Sequence, residues 1–583
     1  MRREKIFDQL MNIAKAYREY PLTMILFILL ALMNSWEIAN DFAQYDRFLL
    51  TLLTAISLSL LVGSLERILF EGRFKQLPLT LLTIPLSILY YFYLPPINSS
   101  YLIAGIRTGL IVFTLFIAFI WLPSLKNKER YFYEYFLASF KAVFISIFYS
   151  IVLFLGVQAI ISAIDYLIFD VDYEYFLHSA NIIGFIIAPS YFLSLMAEIH
   201  RAKDRKKNAV RFEISSLLKT LLNYILIPLI SIYSLVLLTY ILLNLGGELW
   251  KDNLLEPMLI SYIVMVLLLY LLASNLSGKL SSFFRKVFPK LLIGIVLFQL
   301  TASFLKINEL GLTLGRYYVI SFGIFALVAG IIFSFRPKEE SGLIIPVFLF
   351  LSFLSLVPGI DAFSLAEKSQ KNLLFETLDK NEMLQQNQIL AKAALRRQDQ
   401  EKITSSLEYL ADYGYLEDLS YLPDDFSPYE DFEETFGFSR IYETTAENTS
   451  FYYASLDQKD MEVLRIKEED YLLNLYIDNY KGNEETQNIK LNADYSVRLF
   501  TQETYPKIVL VHKDESVLEM NLKELYQKVF SEDSEESMRT EEEMTLIQEN
   551  ENYRMRLLAN DLTENKEEES RSGQIYLFIK IKE

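Results

Sequence analysis

Cysteine is absent from this 583-residue chain, so disulfides, thiolate nucleophiles and cysteine metal sites are excluded at the outset. Histidine occurs three times, as His178, His200 and His512, and a metal centre or catalytic triad would need folding to gather them. No H-E-x-x-H, P-loop, G-x-G-x-x-G or G-x-S-x-G stretch is present. Carboxylates abound, and for that reason no pair stands out as a general acid and base. An A-x-A-like cleavage site behind the charged N-terminal stretch is also missing, so no cleaved signal peptide is expected. No catalytic residues, cofactor or metal are therefore expected, and an enzymatic role is not indicated.

What the chain has in quantity is apolar sequence: 52% hydrophobic residues, unevenly spread. Residues 1–360 carry 30 Lys and Arg against 23 Asp and Glu; residues 361–583 carry 25 against 49. Basic charge thus keeps company with the apolar segments and acidic charge with the polar remainder. Such an acidic region repels phosphates, and no nucleic-acid partner is expected.

A hydrocarbon core of about 30 Å needs roughly 20 apolar helical residues. Eleven segments fit that pattern, near 21–39, 48–66, 77–95, 101–122, 142–164, 176–196, 221–245, 257–274, 287–305, 317–335 and 342–358. The first is the most polar, with Asn34, Trp36 and Glu37 in its second half. Tyr90, Tyr91, Phe92 and Tyr93 end the third, where an interfacial belt is a commoner role than a ligand cage. Alternate loops differ sharply in basic charge. One set, led by the 201–219 loop, holds 25 Lys and Arg. The other side holds five: Arg47, Arg107, Lys251, Lys306 and Arg316. The positive-inside rule then makes the N-terminus cytoplasmic, and eleven crossings place everything after Pro358 outside. The expected location is a bacterial plasma membrane, and the 201–219 loop could meet anionic lipid or a cytoplasmic partner.

Polar groups within apolar segments are costly and mark candidate sites. Arg107 lies on the outer side of the fourth segment, where Asp165, Asp170 or Asp172 could pair with it; a structural ion pair or snorkelling is a commoner role than substrate binding. Gln158, Asn181, Asn223 and Gln299 are single amides, which more often bridge helices than bind ions. Pro85, Pro189 and Pro228 are expected to kink their segments and free carbonyls. The spacing of the segments shows no inverted repeat.

The change from apolar to acidic sequence falls at VPGIDAFSLAEKSQ, residues 357–370. Pro358 and Gly359 stop the last apolar segment. Ser364 and Glu367 have capping-box spacing and are expected to open a helix. The expected domains are a cytoplasmic segment 1–20, a transmembrane bundle 21–358, a membrane-exit helical segment 359–415 and an acidic β-rich extracytoplasmic domain 416–583.

Three stretches together carry a resemblance: Asn223-Tyr224 followed by Pro228-Leu229 and Ile232-Tyr233; Gly311-Leu312-Thr313 followed by Arg316-Tyr317; and Pro358 followed by Ser369-Gln370 and Leu374. Their order and spacing resemble the bacterial membrane proteins of domain-of-unknown-function family 4153, over roughly residues 15–410. Downstream, YLPDDF and FGF are similar to Gram-positive members. The resemblance implies a multi-span plasma-membrane protein and no established activity. Thr313 is suited to cap a helix at the outer surface, with Arg316 reaching lipid phosphate or an acidic loop.

Beyond the junction, helices are expected at 365–380 and 399–412, with Gly414 as a stop. The acidic residues Asp424, Asp425, Glu430, Asp431, Glu433 and Glu434 lack EF-hand order, so calcium is not supported. From 461 onward short alternating runs predict strands at MEVLRIKE, YLLNLYID, YSVRLFTQ, KIVLVHK, SVLEMNL, MTLIQEN, YRMRLLAN and QIYLFIKIK, in an antiparallel, sandwich-like sheet. Leu522–Phe530 reads as a short helix on that sheet, and the acidic runs 532–543 and 564–569 as solvated loops. The expected fold class is an α-helical polytopic membrane bundle followed by an α+β soluble domain. Three functions compete: an envelope protein that senses, scaffolds or binds an envelope component; a transporter; and a membrane enzyme acting on a lipid-linked substrate.

Overall fold

The computed structural model describes residues 16–40, 46–69, 77–94, 97–126, 130–201, 212–244, 255–423, 426–429, 431–441, 451–456, 469–478, 487–501, 504–530, 538–565 and 570–582. Most of the 1–20 segment, residues 202–211 of the basic loop, the run MEVLRIKE, the acidic residues Asp424, Asp425 and Glu430, and parts of the two acidic runs lie outside the described residues. The chain divides into two compact units, Met1–Glu443 and Thr444–Glu583.

All eleven expected apolar segments in the first unit are helical. They are α1 (Pro21–Ala39), α2 (Asp46–Leu69), α3 (Thr83–Tyr93), α4 (Ile97–Lys126), α5 (Phe132–Leu167), α6 (Tyr173–Ile182) with α7 (Ala188–Arg201), α8 (Ser216–Thr220) with α9 (Ile227–Asn244), α10 (Leu255–Ala273), α11 (Lys279–Leu310), α12 (Leu314–Phe335) and α13 (Ile344–Leu354). Among the described residues, nine helices are long and apolar enough to cross a membrane. The two that fall short are the stretch leading into α3, and α13. At 1.5 Å per residue the 11 residues of α13 reach only about 17 Å. Ahead of α3, the helix is interrupted at Leu82, three residues before Pro85.

Pro189 and Pro228 leave a different mark. Each is preceded by a π-helical turn, at Ile183–Ile187 and Leu221–Leu226. Proline supplies no N–H and its ring crowds the carbonyl four residues back, so the preceding turn widens instead of closing. The helices stay continuous through these turns, and the expected kinks take this form. The bundle core is apolar, centred on residues such as Phe119, Leu193, Tyr262, Phe284 and Leu292. Apolar side chains left exposed on the spans, Leu89, Phe144 and Leu235 among them, are surface that lipid covers.

A helical layer completes this unit: α14 (Ala362–Lys380), the hairpin β1 (Leu384–Gln385) and β2 (Gln388–Ile389), α15 (Arg397–Asp412) and α16 (Phe432–Phe436). Its core joins Leu374 and Leu378 of α14 to Ile403, Leu407 and Leu410 of α15 and to Phe432 and Phe436. The apolar spacing on α14 and α15 is thereby explained: each buries one stripe against the other.

The second unit is a two-sheet structure. One sheet has the order β4 (Tyr471–Asp478), β12 (Ser570–Ile581), β11 (Tyr553–Asn565), β3 (Phe451–Leu456) and β9 (Met538–Arg539), with β10 (Thr545–Glu549) also on β11. The other runs β5 (Gln487–Lys490), β6 (Tyr495–Phe500), β7 (Lys507–His512), β8 (Glu515–Asn521). Among the described residues every pairing is antiparallel except β3 with β9. Inward side chains of both sheets share one core: Val497, Leu499, Ile508 and Leu510 with Leu557, Ile575, Leu577 and Ile579. α17 (Lys523–Val529) adds Leu525 and Tyr526 to it.

Candidate functional site

The polar groups singled out from the sequence separate into two kinds. Asn181 ties α6 to α1: its Nδ2 donates to the Ala31 carbonyl and Ser35 Oγ, both at 2.7 Å, and its Oδ1 accepts from Asn34 at 3.0 Å. Gln158 donates to Phe176 O and Ser179 Oγ, tying α5 to α6. Gln299 is buried and donates to Ser303, whose hydroxyl donates to Glu256 at 2.9 Å. Asn223 lies half-buried in the second π turn. Asp165 accepts from Val171 N in an exposed turn. Asn181, Gln158, Gln299 and Asp165 thus hold helices and turns together.

The others converge on the start of α14. Asp361 is fully buried, 254 residues along the chain from Arg107 and 3.3 Å from it. Arg107 thus pairs with Asp361, and not with Asp165, Asp170 or Asp172. Asp361 is also the cap of α14, which corrects the expected start at Ser364. Its Oδ1 accepts from Phe363 N and Ser364 N at 3.1 and 3.2 Å; its Oδ2 accepts from Gly359 N at 3.2 Å and Ser364 Oγ at 2.6 Å. Aspartate outcompetes serine here because a carboxylate at a helix N-terminus gains both hydrogen bonds and the favourable dipole. Gly359, at φ +87°, makes the turn that brings its N–H back to Asp361. Ser364 is left inside the first turn, and Glu367 serves Lys371 instead, at 2.7 Å.

Burial pushes the Asp361 carboxyl up. Hydrogen bonds from Ser364, then the Arg107 charge and Phe363 N–H, outweigh it and hold the group below the usual carboxylate range. The guanidinium lies over the rings of Phe363 (4.7 Å) and Tyr93 (5.3 Å). Tyr93 itself donates to the Leu356 carbonyl, so this ring belongs to the site and not to a lipid-facing belt. Tyr317, Tyr318, Tyr413 and Tyr415 complete the aromatic surround. Burial, followed by the Glu367 charge and opposed by Arg107, pushes Tyr415 up to about 12.

Two turns further along α14, Ser369 and Gln370 grip the loop between α11 and α12. Leu312 N donates to Ser369 Oγ at 2.9 Å, and Gln370 Nε2 donates to the Leu310 and Leu312 carbonyls at 3.1 and 3.0 Å. Arg316 donates to Leu310 O and Gly311 O, closing the C-terminus of α11. Thr313 caps α12 through the Arg316 N–H. Tyr409 of α15 accepts from Leu314 N. Gly311 has φ +70°, and a Cβ there would stand 2.9 Å from Gln370 Nε2, so glycine is required twice over. Arg107, Thr313, Arg316, Ser364, Ser369 and Gln370 therefore form one knot, with Asp361 and Tyr409 the members that sequence reasoning missed. The signal for Asp361 was its place just after Pro-Gly, at a helix start.

Chemically the knot is a fastening. Arg107 pairs with Asp361, Gln370 and Arg316 donate to backbone carbonyls, and among the described residues no three His, Asp or Glu side chains converge as metal ligands. The family model for Domain of unknown function (DUF4153) matches residues 24–369. The chain belongs to the DUF4153 family. That match ends at Ser369, so it takes in both the Gly311–Arg316 loop and the first grip of α14 upon it. No curated protein and no solved structure matches the chain. DUF4153 membership and the nine apolar helices make this a multi-pass membrane protein in contact with the lipid bilayer.

Proposed function

We propose that this DUF4153 protein is a non-enzymatic protein of the bacterial plasma membrane that senses or scaffolds at the envelope. Its N-terminus is cytoplasmic, and the segment after Pro358 and the β-rich unit are extracytoplasmic. The observation that carries the reading is the knot itself. A helix leaving the bundle through a flexible linker would need no buried ion pair. Here α14 is fastened at Asp361 to α4 and at Ser369 and Gln370 to the α11–α12 loop, so displacement of α14 must be felt in three membrane helices. The charge bias between alternate loops supports the orientation. That alternation holds with α3 and α13 both counted as crossings, eleven in all.

The C-terminal unit, following in sequence, is the part suited to an envelope component, while the 201–219 loop offers basic charge to anionic lipid or a cytoplasmic partner. In-cell crosslinking from the full-length protein tests this. The reading expects one envelope component to be captured, and expects capture to fall in Arg107→Met as it does on removal of residues 444–583. A protein that captures no envelope component, with cells indifferent to its loss, would count against it.

A further inference from the structure

The helix α3 turns its polar face inward and its apolar face outward. Its buried residues are Thr83, Ser87 and Tyr90, spaced along one face, while Ile84, Leu86, Ile88, Leu89 and Phe92 are exposed. Thr80, in the short helix ahead of it, extends the hydroxyl row by one step. The neighbouring helices answer in kind: α2 buries Thr54, Ser57, Ser64 and Glu66, and α4 buries Thr108, whose hydroxyl meets Tyr90 at 2.7 Å. From Thr54 to Glu66 the seam runs about 18 Å along α2. Beyond Tyr90 comes Tyr93, with Arg107 and Asp361 at that end.

Small hydroxylated residues also serve simply to let membrane helices approach closely, and their hydroxyls bond back to their own helix, as Ser57 and Ser87 do here. Close approach does not account for Glu66. Glu66 is 1% exposed and its Oε2 accepts from the Thr80 hydroxyl; among the described residues its Oε1 has no hydrogen-bond partner, and neither does the buried Thr83 hydroxyl. Among the described residues the nearby cations are engaged elsewhere. Arg67 bonds Glu19 and lies over the Tyr20 ring, and Lys126 donates to the Ile68 carbonyl. A buried carboxyl oxygen without a partner calls for a proton, a water or an ion.

We infer that the seam between α2, α3 and α4 conducts protons, with Glu66 as the group that takes up and releases them at one end and the Tyr90–Thr108 hydroxyl pair at the other. Each passage adds one proton to Glu66 Oε1 and removes one toward the hydroxyl row, so one positive charge crosses and Glu66 returns to its starting state. Hydroxyls and single-file water suffice for such a relay, whereas a metal cation would need several oxygens converging on one point. The inference goes beyond the envelope role proposed above: failure of proton flux would leave the junction reading standing.

The full-length protein in liposomes loaded with a pH-sensitive dye, under a potassium diffusion potential, gives the test. Proton flux is expected several-fold above protein-free liposomes, and Glu66→Gln, which keeps shape and the Thr80 contact, is expected to return it to background. Glu340→Gln, an exposed residue outside the seam, is expected to leave flux unchanged. Should Glu66→Gln fail to elute as a single species, the Thr83→Val and Ser87→Ala pair, expected to cut flux severalfold, replaces it. Background-level flux in the wild-type protein, undiminished flux in these seam variants, or flux driven by sodium or potassium at constant pH overturns the inference.

Discussion

Arg107→Met is the sharpest probe of the junction. Methionine keeps much of the length and apolar bulk of the side chain, but the charge is gone. Three losses follow. One hydrogen bond between charged groups disappears, about 1.5–3 kcal/mol. The contacts over Phe363 and Tyr93 weaken, about 0.5–1 kcal/mol each. The Asp361 carboxylate stays buried with one partner fewer. Orphaning a buried charge outright costs about 3–5 kcal/mol. Here Asp361 keeps Phe363 N, Ser364 N, Gly359 N and Ser364 Oγ, so the expected cost lies nearer 2–4 kcal/mol. Mixed-micelle unfolding titrations of the wild type, Arg107→Met, Asp361→Asn and the double variant give the coupling energy, expected at about 1.5–3 kcal/mol. A coupling below about 0.5 kcal/mol would refute the claim that the pair fastens α14. The pH dependence has a definite sign. The folded Asp361 carboxyl titrates below its unfolded value of about 3.9, so its contribution is fully present above that pH and is lost as pH falls through the folded value. The cycle should therefore read the same at pH 7 and pH 5 and collapse in stronger acid.

Gly311→Ala forces an L side chain into a left-handed conformation against Gln370, and should cost about 1–2 kcal/mol from the backbone alone; hydrogen exchange at the Leu312 amide should rise with it. In the β-rich unit, Arg571→Met leaves Glu564 buried at 6% exposure and should destabilise that unit by about 3–5 kcal/mol, with Glu564→Leu added to it recovering most of the loss; thermal unfolding monitored by tyrosine fluorescence checks both. A reporter fusion just after Leu384 should give an extracytoplasmic signal, and a cytoplasmic one would reverse the proposed orientation.

Local composition is enough to place the apolar helices and most of the strands, because lipid burial demands long apolar runs and a half-buried sheet demands alternation. The eleven segments, the strands β4, β6, β7, β8, β10, β11 and β12 and the short helix at Lys523–Val529 all follow from residues close together in the chain, whereas β3, β5 and β9 did not show in the alternation and β9 lies in a run expected to be a solvated loop. The same residues mislead where a helix end depends on a distant group. Ser364 and Glu367 satisfy a local spacing rule, but Asp361 wins the cap through its hydrogen bonds from Ser364 and Phe363, with Arg107, far back in α4, adding a charge that no local rule contains. Proline positions were legible and their consequence was not: Pro85 breaks its helix while Pro189 and Pro228 widen theirs. At the knot, Gly311, Ser369 and Gln370 stood out as a pattern without a reason. The reason is packing, since a glycine that admits the Gln370 amide, and the Leu310 and Leu312 carbonyls that receive it, have meaning only when α14 lies across them.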